Sequence, residues 1–207
     1  VTADGSLAPR ALRDPAEVAR RRAMLGEPHV APLAAFADAL RDRGEVPDAD
    51  PLDGGVCARL LLLLEKPGPK TSPARGGSGF VSADNDDPTA EAGWRFAREA
   101  EIARCDRLVW NTVPWWNGTI RFTAAERRAG LEALPGFLDL LPALRAVVLV
   151  GRQAGRARGL VEARGLQVFE SAHPSPQVRA ANPDRWHAIP ARWAEARATL
   201  VGAAIRP

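Results

Sequence analysis

Four short apolar runs constrain this 207-residue chain more than any other feature: ARLLLLL (58–64), RLVWN (107–111), RAVVLVG (145–151) and LQVFES (166–171). Each is strand-sized, and none alternates polar with apolar residues, the pattern of strands buried on both faces. Helix-like segments at 89–103, 123–140, 152–164 and about 189–202 fall between and after them. That order predicts an α/β fold of three layers, α/β/α, around a central, mostly parallel four-stranded sheet.

The segment 30–44, VAPLAAFADALRDRG, reads as an amphipathic helix closed by Gly44, and EVPDADPLDGG after it reads as a loop. Residues 1–28 are polar and Arg-rich and are expected to form a loosely packed arm or lone helix, leaving 29–207 as one domain. The longest apolar run has five leucines, whereas a membrane-spanning helix needs about 20 apolar residues. With no secretory-type apolar stretch at the start, the expected location is cytoplasmic. Cys57 and Cys105 lack metal-site spacing and are expected to be buried thiols; neither a metal nor an organic cofactor is expected. The net charge of +3 would not repel a polyanion, and Lys66 and Lys70, in one loop, are the only lysines.

Parallel α/β sheets bind ligands beyond the carboxyl ends of their strands. Three of the four predicted strand ends carry polar groups on loops stiffened by proline or glycine: EKPGPK (65–70), Asn111 followed by TVPWWNG, and SAHPSP (171–176). The third strand runs into GRQAG, which reads as a conventional turn. Ser175 before Pro176 is a good helix N-cap, with His173 just behind it on the strand end.

Taken together, LEKPGP (64–69), LVWN (108–111) and HPSP (173–176) resemble the motifs of the uracil-DNA glycosylase superfamily, over roughly residues 55–200. The resemblance implies excision of uracil or a related deaminated base from DNA by hydrolysis of the N-glycosidic bond, by a monomer acting without a cofactor. It implies that Asn111 reads the polar edge of a flipped base, that His173 donates to the base as negative charge develops, and that Phe80 stacks on the base beside Lys66, Pro67 and Gly68. Ser175, Gln177, Arg179 and Lys70 would contact DNA, with Val178 or Arg179 as a possible wedge. Trp115 and Trp116 fit either a pocket wall or a core anchor.

One departure stands out. Lys66 occupies a position where the family usually has aspartate or asparagine, and a charged lysine cannot serve as a base. Glu65, Asp84, Asp86 or Asp87 could then supply the carboxylate, while Lys66 contacts phosphate or, less in keeping with the family, attacks the sugar as an amine. The departure also admits a non-cleaving, damage-recognising DNA-binding protein on the same scaffold. A nucleotide-binding α/β protein is a weaker reading, because ARGGSGF (74–80) lacks the lysine and hydroxyl residue of a phosphate-binding loop.

Overall fold

The computed structural model describes residues 8–201. Among the described residues, six strands form: β1 (Asp48–Ala49), β2 (Leu60–Leu64), β3 (Phe80–Val81), β4 (Arg107–Asn111), β5 (Ala146–Val150) and β6 (Gln167–Ser171). The central sheet has the order β4-β2-β5-β6 and is parallel throughout, while β1 and β3 make a separate parallel pair. The three-layer α/β/α architecture expected from the sequence is the one found.

The reason lies in burial. Strands β4 and β5 are buried along their whole length, and β2 along all but its last residue, so their apolar runs have no alternation to show. Strand β6 lies at the edge and is only partly covered, which accommodates Gln167 and Glu170. The β1–β3 pair was not anticipated: residues 48 and 49 lie in the expected loop, and two-residue strands leave too short a pattern to read.

Among the described residues there are eight α-helices: α1 (Pro15–Ala23), α2 (Ala31–Leu40), α3 (Pro88–Glu99), α4 (Ala124–Asp139), α5 (Arg158–Glu162), α6 (Pro176–Ala181), α7 (Pro183–His187) and α8 (Ile189–Val201). Caps fix several starts. Asp87 accepts from the Thr89 and Ala90 N–H groups to open α3, and Thr123 with Glu126 forms a reciprocal capping box at α4. On one sheet face Trp110 stacks on Phe137 of α4 at 4.5 Å, and Phe36 of α2 packs on the same ring. On the other face lie α3 and α8, where Phe96 meets Trp193 edge-on. The helix expected over 152–164 is instead a 3-10 turn, Ala154–Ala157, followed by the short α5, because Gly155 and Gly159 weaken it.

Two expectations need correction. Residues 15–23 are not loosely packed: Arg21 of α1 is fully buried and bonds Asp50, Asp84 and Glu17. The rest of the expected arm includes residues 1–7, which lie outside the described residues, as do 202–207 at the far end. Cys57 and Cys105 are exposed, not buried, because each sits in a 3-10 turn facing solvent rather than in a strand. Among the described residues, no helix is long and apolar enough to cross a membrane.

Candidate active site

From β2 the chain crosses to β4 on one side, then passes back over β2 to β5 on the other. The crevice where these directions diverge is the usual binding place in such sheets. Here it opens into a cleft of about 1940 Å³ beyond the carboxyl ends of the strands. Glu65, Asn111, Gln153 and His173, one from the end of each central strand, all line it.

Glu65 lies across the switch point. Its Oε1 accepts from the Gln153 N–H at 2.7 Å, and burial holds its carboxyl above the ordinary range against the lowering effect of that bond and of Arg152. Gly151 makes room for it: its φ is +97°, and a Cβ there would stand 2.6 Å from Glu65 Oε1. Asn111 is 3% exposed, and its amide has no hydrogen-bond partner among the described residues. His173 is partly buried and likewise makes no side-chain hydrogen bond among them; burial pushes its pKa down to about 4. The imidazole is therefore neutral at pH 7, with one N–H to donate and one nitrogen to accept.

That depression has a measurable consequence. The folded protein resists a proton that the unfolded chain binds below about pH 6.5, so stability falls as pH drops through 6.5 and the loss is complete near pH 4. The size is roughly 2–3 kcal/mol. Urea unfolding at pH 7 and pH 4.5 should show this dependence in the native sequence and a smaller one in His173→Gln; equal slopes would show that His173 is not the group responsible.

The other expected site residues divide. Pro67 and Gly68 line the cleft, and a Cβ on Gly68 would meet nothing within 4 Å. Ser175 caps α6 as expected, its Oγ accepting from Val178 N–H at 3.4 Å, and Gln177 and Lys70 also border the cleft. Arg179 lies off the cleft lining, with its guanidinium 5.0 Å above the Trp186 ring.

Four expectations are corrected. Asp84 is fully buried, where its carboxylate meets Arg21 and Arg104, each at 2.7 Å, so it cannot reach a water in the cleft. Asp86 points to Arg10 and Lys70 and does not line the cleft. Phe80 is a core residue, 1% exposed, in the strand that pairs with β1; it is not placed to stack on a base. Lys66 lines the cleft, but its ammonium is already occupied, donating to Asn117 Oδ1 (2.9 Å), Arg121 O (3.0 Å) and Glu126 Oε1 (2.6 Å). With all three protons placed, it is available neither to phosphate nor as an amine nucleophile. Burial tends to raise the Glu126 carboxyl, but the bonds from Lys66 and Thr123 keep it below the ordinary range.

Sequence reasoning missed Gln153 and Phe122. Gln153 was hidden in what reads as a plain turn, although a strand ending in glycine at the switch point was a usable signal. Phe122 is an aromatic ring that does line the cleft, 5.8 Å from Lys66 Nζ; a lone Phe in a polar stretch gave no sign of it. Trp115 and Trp116 are buried core anchors outside the cleft, with Trp115 Nε1 donating to Leu40 O.

No family model matches the chain, and no curated protein does. Among solved structures, the chain is similar to the solution NMR structure of a candidate uracil DNA glycosylase from Methanosarcina acetivorans. The two share 16% sequence identity and a TM-score of 0.48, over 70% of this chain and 94% of that one. This is a weak likeness, and the functional reading rests on the cleft itself.

Proposed function

We propose that the cleft is a base-excision site, which hydrolyses the N-glycosidic bond between deoxyribose and uracil or a related deaminated base in DNA. One observation carries this reading: Asn111 and His173, the two polar side chains suited to reading a base, face one cleft without a protein hydrogen bond between them. Polar side chains that face a cleft without a protein partner are free to bind a ligand that enters it.

In this mechanism the extruded base enters the cleft, and the Asn111 amide matches the acceptor and donor on its polar edge. Extrusion costs a few kcal/mol of unstacking, which edge bonds and contact with Phe122 offset. The neutral His173 donates to the base oxygen on which negative charge accumulates as the bond to the sugar lengthens, the role of an oxyanion-hole donor. Of the four carboxylates expected, Glu65 and Asp87 border the cleft; Asp87 is engaged at the start of α3 by the Thr89 and Ala90 N–H groups, and Glu65 holds or deprotonates the attacking water. Lys66 no longer argues against hydrolysis, since its charge is compensated by Glu126.

The test is an end-labelled oligonucleotide carrying one uracil, incubated with the protein and then treated with alkali. Scission at that position only after alkali is expected. Asn111→Asp should then change the ranking of uracil against cytosine and hypoxanthine, because the carboxylate offers acceptors alone; an identical ranking would remove Asn111 as the reader. Selective binding to uracil-containing DNA with no scission would instead mark a non-cleaving recognition protein.

A further inference from the structure

We infer that the backbone N–H of Gln153, in the turn after β5, positions Glu65 by holding one carboxylate oxygen so that the other meets the attacking water; this rests on the base-excision reading. The two residues are 88 positions apart in the chain, and the pairing of β2 with β5 brings them together. Glu65 Oε1 accepts from the Gln153 N–H at 2.7 Å, the only hydrogen bond that the carboxylate or that N–H makes among the described residues. Oε2 has no protein partner and is not sealed from solvent, so it is the oxygen open to the cleft. A base held at one oxygen keeps the other free to take a proton, with its direction fixed.

The turn is shaped to the whole end of the Glu65 side chain. A Cβ on Gly151 would stand 2.6 Å from Oε1, 2.9 Å from Cδ and 3.2 Å from Cγ, and the φ of +97° also favours glycine. The turn is itself braced. Gly151 N–H donates to Ser171 O at 3.0 Å, on the strand that leads to His173, and Gly155 N–H returns to Gly151 O at 3.3 Å. The charged groups nearby leave the carboxylate to this N–H. Arg152 favours its ionised form without a hydrogen bond, Arg156 is engaged with Gln153 Oε1, the Lys66 ammonium is spent on Glu126, and His173 is neutral above about pH 4. Because the N–H binds the ionised form, removing it should make Glu65 ionise at higher pH. Gln153 is accordingly a positioning residue.

The experiment exploits the φ of Gln153, −75°, which proline can adopt. Gln153→Pro removes the N–H, whereas Gln153→Ala removes the side-chain amide and keeps it. Single-turnover excision of uracil, followed from about pH 4.5 to 8.5, should rise as Glu65 ionises, and the rise should vanish in Glu65→Gln. Gln153→Pro should move the rise to higher pH by about one unit, and Gln153→Ala should leave it in place. A second measurement needs no proline variant: the Gln153 amide proton resonance of the native protein should titrate with the same midpoint as the rate, and should stay flat in Glu65→Gln. Gly151→Ala, which displaces the carboxylate, should lower the plateau rate roughly 10²-fold while uracil-containing DNA still binds. A rise that Gln153→Pro leaves unmoved, an equal move in Gln153→Ala, or an amide that does not follow the rate overturns the positioning role and leaves base excision standing. Native protein that excises no uracil overturns both.

Discussion

Replacing His173 with alanine is expected to slow uracil excision by about 10²–10³-fold, the range found when a single oxyanion-hole donor is removed. Binding of uracil-containing duplex should weaken far less, because the imidazole bond strengthens only as charge moves onto the base. The neutral state of His173 matters here. A cationic imidazole would donate too, but burial disfavours it, and the N–H of the neutral ring carries the interaction over the whole neutral range. Single-turnover rates and binding titrations on the same substrate would separate the two effects. Equal losses in rate and affinity would make His173 a ground-state contact and remove the electrophilic step from the mechanism.

The largest expected stability change lies in a buried charge cluster that takes no part in that chemistry. Arg21→Ala should cost roughly 3–5 kcal/mol, the range for breaking a buried ion pair from one side. Asp50 and Asp84 are both fully buried, and Arg21 and Arg104 are the cations that contact them. Losing Arg21 leaves Arg104 alone to balance two carboxylates beside a third, Asp53, whose oxygens already lack hydrogen-bond partners among the described residues. Burial, only partly offset by Arg104 and Arg107, raises the Asp53 pKa to about 6, so this cluster has little tolerance for further negative charge. Arg20→Ala is the control: its exposed side chain pairs with Glu17 and reaches Met24 Sδ, and its removal should change stability by less than about 1 kcal/mol. Urea unfolding of both variants decides the matter, and comparable small losses would mean that Arg21 does not hold the cluster together.

The sequence disclosed what is local and periodic. The four apolar runs became the four central strands, three of them because near-complete burial needs no partner-specific information and β6 while only partly covered, and Ser175-Pro176 became a helix start because a cap is decided within three residues. Asn111 and His173 were found because strand ends in a parallel sheet gather at one edge. The errors concern side chains whose environment is set from far along the chain. Asp84 looked solvated in SADNDDP, yet its partners are 63 and 20 residues away. Lys66 looked like a phosphate contact, yet it is occupied by groups 51 to 60 residues downstream. Phe80 carried no local sign that a two-residue strand at 48–49 would cover it.

The pleat of β4 carries a consequence for how this protein tolerates change. Arg107, Val109 and Asn111 border the cleft, while Trp110 between them stacks on Phe137 in the opposite layer. Function and packing are therefore interleaved by parity along five residues. A single-residue insertion or deletion before Asn111 would exchange the two sets, bringing an indole to the cleft and an amide to the aromatic layer. Substitutions in this strand can be absorbed one face at a time, whereas a change of length strikes both together, so insertions and deletions are expected to be tolerated only in the loops beyond Asn111 and before Arg107.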